Sequence, residues 1–461
     1  MKKVFIVCGL GYGDEGKGTT THYLTARHRA HTVVRTGGPQ AFHRVVTASG
    51  LEHVFSQFGS GTLSGARTHL SEHMVIDPDA ILNEGMTLRY ARGVQNPFDY
   101  ITVHEDALVI TPFHGIANRL HELARGDAKH GTVGIGVGET VLDEEAHAHH
   151  TLRAKDLTRN DLAEMLEAVR LRKISELAES IARIETLSDA VRSAATRDIA
   201  ELSTSETTQW AVERFGLMAL TVPIVDTTYV AEKVLGIDGT VVFEGSQGVL
   251  LDRFCGFHPH TTKVRATPAP ALSLVESCEY DGDVTVLGVT RAYHTRHGAG
   301  PFVSESAELT SALPDSYNGD HRWQGKFRVG SLDLIALRYA LAVSGGSDVF
   351  DGVVLTCVDR IHELGAWNVC TSYEGGDGQY IFGEEIAAHP SEASSLEVLR
   401  HQENLALGLS VCRPVVRRFE IPSSASPEDL VPACAGILND ALPVPVRIVS
   451  LGQTEKDKFE L

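Results

Sequence analysis

The sequence lacks any apolar run that approaches the length of a membrane helix, and it lacks an excess of positive charge. Its formal net charge is −19, which argues against a general nucleic-acid binder because such a protein needs a basic face. This overall charge does not exclude a local basic pocket for a nucleotide. The first apolar run, "KVFIVC", is short and is followed by glycines, so it predicts a buried strand rather than a signal peptide. We therefore expect neither a membrane nor a nucleic acid as partner.

Cysteine is scarce, and its spacing is informative. The seven cysteines are scattered and form no C-x-x-C pair. This pattern favours a reduced, cytoplasmic enzyme with buried thiols over a disulfide framework or a zinc site. Hydrophobic residues make up 43% of the 461 residues and charged residues 22%, so we expect a full core and not a disordered chain.

Two kinds of pattern predict the fold. Short runs rich in Val and Ile, bounded by Gly or Asp, suit the strands of a sheet that is buried on both faces. These runs are "KVFIVC", "TVVRT", "ALVIT", "GTVVFEG", "DVTVLGVT", "GVVLTCVD" and "VRIVSLG". Between residues 155 and 215, the apolar spacing and the many Glu, Ala, Leu and Arg residues predict helices. We expect an α/β fold with a mainly parallel central sheet, in one domain (1–461) with a helical subdomain (155–215) inserted in it.

The stretch "GLGYGDEGKGTT" (residues 9 to 20) follows the first predicted strand. Gly11, Gly16 and Lys17 match the spacing of a phosphate-binding loop, in which backbone N–H groups and a helix N-terminus face an anion. Gly18 replaces the Ser or Thr that usually follows the lysine. The alternative is a glycine-rich turn without a ligand, but the position directly after a strand favours the phosphate loop.

Asp14 lies inside this loop and needs a separate explanation. A carboxylate directed at phosphates is repelled unless a metal ion or a proton intervenes. Asp14 therefore either binds Mg²⁺ or exchanges a proton with a second substrate beside the phosphate, or does both.

Motifs along nearly the whole chain resemble those of the adenylosuccinate synthetases, the GTP-dependent ligases that join IMP to aspartate. The loop "GYGDEGKG" is similar to the N-terminal signature of that family. The other similar segments follow in order: "RTGGPQAFHRVV" (35 to 46), "VGIGVGETV" (133 to 141), "FEGSQGVLLD" (243 to 252), "HPHTTKV" (258 to 264), "VLGVTRAYHTRHGAGPF" (286 to 302), "VVLTCVD" (353 to 359) and "VSLGQTEKD" (449 to 457). The resemblance implies a P-loop-NTPase-like adenylosuccinate synthetase fold. It also implies a homodimer, since the family borrows a phosphate ligand across its two-fold axis.

The resemblance further implies a two-step reaction with three catalytic residues. The aspartate at the position of Asp14 removes the N1 proton of IMP, and the purine O6 attacks the γ-phosphate of GTP. The histidine at the position of His43 donates a hydrogen bond or a proton on the GTP side, and Lys17 holds phosphate oxygens. An amine then displaces phosphate from C6. An acid inside a phosphate loop is useful here, because the nucleophile must lose its proton close to the transferring phosphoryl group.

Binding residues are implied in the same way. The resemblance places GTP at Gly13, Glu15, Gly16, Gly18, Asp359, Gly452 and Gln453. It places the acceptor nucleotide and the amine at Gln40, Thr132, Gln247, Thr262, Lys326 and Arg328. Mg²⁺ is expected on Asp14 and on a backbone carbonyl near Phe42, where the family has glycine.

Guanine recognition is expected at Asp359, which occupies the place of the family's guanine-reading aspartate. A carboxylate there accepts from guanine N1–H and N2–H₂ in a specific bidentate contact. The alternative role for Asp359 is a cap at the end of a strand. Cys357 stands where the family has a lysine that packs on the base, and this change leaves the preference for GTP open.

The sequence departs from the family pattern in the loop that binds the amine. The stretch "GDHRWQGKFRVGSLDL" aligns with a loop in which two arginines grip the aspartate carboxylates, and those positions hold Gly325 and Phe327. A one-residue gap places Lys326 at the first of them. The paired fork is degraded in either alignment, and a phenylalanine favours an apolar or aromatic amine. The alternative is that Arg322 or Arg328 binds the aspartate carboxylates instead.

A second departure concerns the phosphate of the acceptor. The family uses an arginine from the other subunit, and the aligned position is close to His149, with Arg153 nearby. The histidines of "EEAHAHHTLR" suggest a metal site, but a solvated loop is favoured. A changed phosphate clamp is compatible with a nucleoside or a modified nucleotide as acceptor. Because Asp14 is retained, the expected base is a 6-oxopurine with a removable N1 proton.

These observations support one leading hypothesis and two alternatives. The leading hypothesis is a GTP-dependent carbon–nitrogen ligase that acts on an IMP-like nucleotide and has an altered amine site. The alternatives are ordinary ligation of IMP to aspartate and a purine-nucleotide sensor without ligase activity. Retention of Asp14, Lys17, His43 and Gln247 favours catalysis, since a pure binder does not need the acid and histidine pair. The degraded amine loop favours the sensor.

Overall fold

A mainly parallel sheet forms the centre of the computed structural model, which describes residues 1–315, 317–319, 322–376, 378–389 and 394–461. Asp320 and His321 of the predicted amine loop lie outside the described residues. The strands are β1 (Lys2–Gly9), β2 (Thr32–Gly37), β3 (His43–Val46), β4 (Glu52–Phe55), β5 (Arg67–Ile76), β6 (Ile101–His104), β7 (Leu108–Val109), β8 (Ile224–Val225), β9 (Gly239–Glu244), β10 (Asp283–Arg291), β11 (Tyr293–His297), β12 (Phe327–Asp333), β13 (Gly352–Thr356), β14 (Ala366–Glu374), β15 (Ile381–Phe382), β16 (Glu385–Ile386), β17 (Arg413–Glu420), β18 (Val446–Ser450) and β19 (Lys458–Glu460).

The central sheet has the strand order β19-β18-β13-β10-β1-β9-β2-β5-β6-β8, and β7 pairs with β5. Neighbouring strands are parallel except β18 and β19, which are antiparallel. The prediction of an α/β fold with a mainly parallel sheet is therefore confirmed. Each of the seven runs quoted for the sheet contains a strand, although "ALVIT" contributes only the two residues of β7.

Parallel strands end at the same edge of a sheet, and this property assembles the site. The strands β1, β9, β10, β13 and β18 lie side by side or nearly so. The phosphate loop follows β1, and the segments that contain Gln247, Cys357 and Gly452 follow β9, β13 and β18. Motifs that are far apart in the sequence are thus brought to one edge.

The helices are α1 (Lys17–His28), α2 (Pro78–Arg92), α3 (Pro112–Arg125), α4 (Val137–His147), α5 (Leu162–Glu176), α6 (Ala178–Glu185), α7 (Asp189–Ser203), α8 (Glu206–Thr221), α9 (Ala269–Ser277), α10 (Ala307–Ala312), α11 (Leu334–Ala342), α12 (Val358–Leu364), α13 (Ser395–Ser410) and α14 (Pro427–Asn439). The four helices α5 to α8 occupy the region for which the sequence predicts helices. Their buried faces share one hydrophobic cluster with α3, through residues such as Phe113, Leu166 and Phe215. Within the described ranges, no helix has the length and apolarity needed to cross a membrane.

A second sheet lies beside the central one, with the order β11-β12-β14-β17. The strands β11 and β12 are antiparallel, and His297 at the end of β11 is paired with Phe327 at the start of β12. This sheet matters for the site because it presents His297 to the phosphate loop.

Candidate active site

The loop between β1 and α1 has a backbone conformation that residues other than glycine seldom adopt. Gly13 and Gly16 have φ angles of 93° and 97°, and Asp14 has a φ of 61°, all in the left-handed region. Gly16 directly precedes Lys17, the first residue of α1, so the predicted helix start is confirmed. The curvature of the loop, rather than any preference of an aspartate, sets the direction of the Asp14 side chain.

Glu15 points into the loop itself. Its Oε1 accepts hydrogen bonds from the backbone N–H groups of Gly11 at 3.0 Å and Gly13 at 2.7 Å. Its Oε2 lies 2.5 Å from Lys17 Nζ, and both side chains are buried. The two adjacent acids therefore have different surroundings: Glu15 organises the loop and holds the lysine, and Asp14 is left to face the cavity.

Replacing Glu15 with glutamine is expected to destabilise the protein by about 3 kcal/mol, because it leaves the buried Lys17 charge without its counter-ion. Chemical denaturation would measure this change. The matched control is Glu201→Gln, which breaks the exposed pair with Arg197 and should change the unfolding free energy by less than about 0.5 kcal/mol. Equal effects of the two substitutions would show that the Glu15 pair contributes no more than a surface pair.

Asp14 faces the cavity with one carboxylate oxygen already engaged. Its Oδ2 lies 3.3 Å from His297 Nε2, and its backbone oxygen accepts a hydrogen bond from Arg291 Nε. Burial raises the pKa of Asp14, but the hydrogen bond from His297 and the charges of Arg291 and Lys17 outweigh it and lower the pKa to about 2. The carboxyl is therefore ionised near neutral pH and can accept a proton or bind a cation.

His43 is fixed by a buried carboxylate. Its Nδ1 lies 2.6 Å from Oε1 of Glu244, the last residue of β9. Glu244 also accepts hydrogen bonds from the backbone N–H of Ser60 at 3.0 Å and from its hydroxyl, and Arg35 Nε lies 3.9 Å away. Because a carboxylate only accepts, the shared proton belongs to Nδ1. Within the described residues, His43 Nε2 is buried without a partner, and His43 lines the cavity.

The pKa of Glu244 leads to a prediction about pH and stability. Burial raises this pKa, but the charges of His43 and Arg35 lower it to about 2, from an ordinary value of 4.5. Because the pKa of Glu244 is lower in the folded protein than in the unfolded chain, its ionised form stabilises the fold at pH values above the unfolded pKa. This stabilisation is lost as the pH falls toward the folded pKa of about 2. We expect Glu244→Gln to cost on the order of 3 kcal/mol at neutral pH, and less as the pH falls below the ordinary value. Denaturant titrations at several pH values would measure the difference, and a constant difference would contradict the prediction.

A cavity of about 1,100 Å³ opens at this edge of the sheet. Most of the predicted site residues line it: Gly13, Asp14, Gly16, Lys17, Gly18, Gln40, Phe42, His43, Thr132, Gln247, Thr262, Asp359, Gly452 and Gln453. Three others lie elsewhere. Glu15 is bonded within the loop, Lys326 is exposed, and Arg328 lines a second cavity.

One part of the cavity, which we call the amide end, is lined by threonine hydroxyls and side-chain amides from Gln40, Asn118, Thr132, Gln247 and Thr262. Gln40 Nε2 donates to Thr262 Oγ1 at 3.3 Å, and Asn118 and Thr132 exchange hydrogen bonds of 3.0 and 3.2 Å. Gln40 Oε1 and Gln247 Nε2 are buried without a hydrogen-bond partner in the described part of the chain. Buried amides with unused bonding capacity indicate a place for a polar ligand.

Another part of the cavity is lined by Asp359 and by the loop between β18 and β19. Asp359 lies in the first turn of α12, and burial raises its pKa. Cys357 precedes the helix with a φ of 60°, and burial raises its pKa as well. Lys458 donates to the carbonyl oxygens of Gly452 at 3.2 Å and Thr454 at 2.9 Å, and so ties this loop to β19.

The predicted amine loop does not direct its basic residues into the large cavity. Arg328 donates to Glu305 Oε2 at 2.7 Å and to the carbonyl of Gly300 at 3.0 Å. Arg322 is exposed, and its guanidinium lies 4.9 Å from the ring of Trp323. Neither arginine is positioned as a fork toward the cavity.

Phe327, the residue that favours an apolar or aromatic amine in the sequence analysis, has an aromatic neighbour in the structure. Its ring centroid lies 4.9 Å from that of His297, its partner across the two strands. Phe327 therefore contacts the histidine that is paired with Asp14.

The residues expected to hold Mg²⁺ fit that ion in part. Asp14 and Phe42 line the same cavity. Across the described ranges, no cluster of three or more His, Cys, Asp or Glu side chains is arranged for a metal, and His149 and His150 are exposed. Mg²⁺ usually takes one or two carboxylates together with substrate phosphates and water. A lone carboxylate in a phosphate loop is compatible with that mode of binding.

Sequence reasoning missed four residues that complete the site: Glu244, Arg291, His297 and Lys263. Three of them end strands, namely β9, β10 and β11. A signal was available, because charged or titratable residues at the carboxyl ends of strands tend to face a ligand. Lys263 follows Thr262 in a loop and carried no comparable signal.

Comparison with known proteins agrees with this geometry. The adenylosuccinate synthetase family model matches residues 6–458. An adenylosuccinate synthetase from Thermoplasma volcanium is 30% identical over 429 residues, which cover 90% of this chain and 89% of the relative.

Two solved structures are similar in fold. The fully ligated adenylosuccinate synthetase from Plasmodium falciparum matches with a TM-score of 0.74 at 18% identity and covers 99% of both chains. The cyanophage S-2L succinoaminodeoxyadenylate synthetase, bound to dGMP and to dATP as an energy donor, matches with a TM-score of 0.59 at 18% identity. That match covers 100% of this chain and 95% of the other. Because the family model spans nearly the full length, the chain belongs to the adenylosuccinate synthetase family.

Proposed function

We propose that the protein is a GTP-dependent ligase that joins an amine to C6 of a 6-oxopurine nucleotide through a 6-phosphoryl intermediate. The observation that carries this proposal is the position of Asp14, Lys17 and His43 around one cavity. A carboxylate, an ammonium and an imidazole there surround the space in which a phosphoryl group would be transferred.

The proposed roles follow from the geometry of each side chain. Asp14, ionised near neutral pH, takes the N1 proton of the purine so that O6 can attack the γ-phosphate of GTP. Lys17 and the N–H groups at the start of α1 hold phosphate oxygens. His43, oriented by Glu244, directs Nε2 to the GTP side, where it stabilises the charge that develops. The amine then displaces phosphate from C6.

The two nucleotides are assigned to different parts of the cavity. The acceptor is proposed to bind at the amide end, to Gln40, Thr132, Gln247 and Thr262. GTP is proposed to extend from the phosphate loop to Asp359, whose carboxylate accepts from guanine N1–H and N2–H₂. Asp14 and the backbone carbonyl of Phe42 would hold Mg²⁺, which neutralises phosphate charge when it is bound.

The amine is proposed to differ from aspartate. This is supported by the bonds of Arg328 to Glu305 and Gly300 and by the exposure of Lys326, since neither cation is directed at the large cavity. Aspartate has two carboxylates to be matched, and these two cations of the predicted amine loop do not form the paired fork that would bind both of them. Ordinary ligation of IMP to aspartate is the second candidate, favoured by the relative from Thermoplasma volcanium.

We also propose a single domain with α5 to α8 as a helical subdomain, a homodimer, and a cytoplasmic location. The family membership supports the dimer, and the seven scattered cysteines, none of which is in a disulfide, support a reducing compartment.

The test is phosphate release from GTP with IMP and a panel of amines. Release that requires IMP and an amine other than aspartate would support the altered ligase. Release with aspartate at a comparable rate would show that the protein catalyses the ordinary ligation of IMP to aspartate. Tight GTP binding without release for any amine would contradict the ligase proposal and favour a sensor.

A further inference from the structure

The Asp14 carboxylate is held by one side chain. Asp14 Oδ2 lies 3.3 Å from Nε2 of His297, and no other hydrogen bond or ion pair to this carboxylate is found in the part of the chain that the structure describes. Arg291 donates to the backbone oxygen of Asp14 and not to the carboxylate. Since a carboxylate only accepts, the proton shared with His297 belongs to Nε2. Oδ2 is therefore engaged, and Oδ1 is left for a ligand.

His297 is itself fixed by the second sheet. It ends β11 and is paired across the strands with Phe327, whose ring centroid lies 4.9 Å from that of the imidazole. The next residue, Gly298, donates its backbone N–H to the carbonyl of Lys326 at 2.9 Å. A Cβ on Gly298 would overlap the carbonyl oxygen of Gln324, so the two segments approach closely here. The backbone and one ring face of His297 thus have fixed neighbours.

The other ring nitrogen of His297 agrees with this assignment of the proton. Nδ1 is buried and has no hydrogen-bond partner among the described residues. A proton on Nδ1 would therefore have no acceptor, whereas a proton on Nε2 has the Asp14 carboxylate. The contact with Asp14 is thus the one hydrogen bond that the described structure offers to this imidazole.

The Asp14 side chain needs such a partner. The loop sets the direction in which the side chain leaves the backbone, but the carboxylate can still rotate about the side-chain bonds. The surroundings leave room for this rotation: 29% of the side chain is exposed, and no described atom lies within 4 Å of the position that a Cβ on Gly13 would take. A general base must lie within hydrogen-bond reach of the proton that it takes. A contact that keeps one rotamer therefore bears directly on catalysis.

We propose that His297 is a positioning residue for Asp14: its Nε2–H holds Oδ2, so that Oδ1 meets the N1–H of the purine. This inference deepens the proposed function and rests on it. In the step concerned, the N1 proton passes to Oδ1 while O6 forms a bond to the γ-phosphorus, and GDP departs with the electrons of the broken P–O bond. His297 keeps its own proton throughout and supplies only the geometry.

The first test is phosphate release from GTP with IMP and a productive amine. His297→Leu removes the donor, and we expect kcat to fall by about 10- to 100-fold, the usual loss when a residue that orients a functional group is removed. The KM for GTP should change little. His297→Gln can place an N–H near the position of Nε2 and should retain most of the wild-type kcat. The matched control is His104→Leu, since His104 ends β6, lies 3.4 Å from Glu72 and is outside the lining of the large cavity; its kcat should be unchanged.

A double-mutant cycle separates positioning of Asp14 from a general structural role. If His297 acts through Asp14, His297→Leu should lower the rate of Asp14→Asn by less than about two-fold, which is within the error of such cycles. A full loss in that background as well would overturn the inference, and so would a wild-type kcat in His297→Leu. Recovery of the His297→Leu rate at raised Mg²⁺ would overturn it too, because His297 would then serve metal binding.

A measurement without turnover keeps this inference apart from the proposed function. Nitrogen-15 NMR at mildly alkaline pH reports the imidazole tautomer, and the His297 signals are those lost in His297→Gln. We expect the Nε2–H form in the wild type and a loss of that preference in Asp14→Ala. The Nδ1–H form in the wild type would overturn the inference.

The two kinds of failure are distinguishable. If the wild type releases phosphate and His297→Leu does so equally well, the role of His297 is wrong and the ligase proposal is unaffected. If the Nε2–H form is found but no nucleotide and amine give release, the ligase proposal is wrong, and the inference that rests on it fails with it.

Discussion

Replacing Asp14 with asparagine is expected to lower the rate of phosphate release from GTP by about 10²–10⁴-fold, which is the usual contribution of a general base. Asparagine has nearly the same shape and can keep a contact with His297, but it cannot take a proton from the purine. GTP binding should stay largely intact, because Lys17 and the loop N–H groups are unchanged. Steady-state phosphate release with IMP and a productive amine, together with calorimetry for GTP, would measure both quantities.

Two further measurements make the Asp14 result specific. The control Asp161→Asn removes an exposed carboxylate that is paired with Arg159 and should leave the rate unchanged. Recovery of the full rate at raised Mg²⁺ would assign Asp14 to the metal alone and contradict its role as the base. Wild-type activity of Asp14→Asn would contradict both roles.

Replacing His43 with asparagine is expected to lower kcat by about 10²–10³-fold, as for other donors that stabilise charge in a transition state. His43 Nε2 supports this expectation, since it is buried at the cavity wall and has no hydrogen-bond partner among the residues that the structure describes. Glu244→Gln should lower kcat by about 10–100-fold, because it loosens the ring without removing it. The KM for GTP should change little in either variant.

The His43 prediction has its own control and its own contrary result. His28 is half-buried at the end of α1 with its ring 4.7 Å from that of Phe5, outside the lining of the cavity, and His28→Asn should leave kcat unchanged. If His43→Asn raises the KM for GTP and leaves kcat unaltered, then His43 binds the ground state and is not part of the chemistry.

Much of the site could be predicted from the sequence, because segments that follow the strands of a parallel sheet come close together at one edge of that sheet. Asp14, Gln247 and Asp359 each follow a run rich in Val or Ile, and the ends of parallel strands meet at one edge. Their shared cavity is therefore a consequence of strand assignments that short-range patterns already support.

The different directions of Asp14 and Glu15 could not be predicted. Both are acids in the same loop, and local sequence does not distinguish them. What separates them is the positive φ of Asp14 and the space left under the loop by Gly9 and Gly248, where a Cβ would come within 2.4 and 2.3 Å of the Glu15 oxygens. Gly248 lies more than 230 positions away, so only the folded chain brings this space to Glu15.

The direction of the Arg328 side chain could not be predicted from the sequence either. It depends on Glu305 and Gly300, which approach it only because β12 pairs with β11 and the connecting segment folds back. The sequence contains a periodic pattern that predicts the strand, but it contains no pattern that predicts which distant side chains will pair.

The contact between Lys17 and Glu15 has a consequence for ligand choice. The Lys17 ammonium is already paired with the Glu15 carboxylate. An incoming anion must therefore compete with Glu15 for the lysine. A single orthophosphate offers Lys17 little more than the Glu15 carboxylate does, so we expect it to bind poorly even in phosphate buffer. A triphosphate bound as proposed would contact both the N-terminus of α1 and Lys17, and these simultaneous contacts would let it displace the Glu15 carboxylate from the lysine. The pair of Lys17 with Glu15 therefore leads us to expect that the loop binds a polyphosphate chain more tightly than a single phosphate.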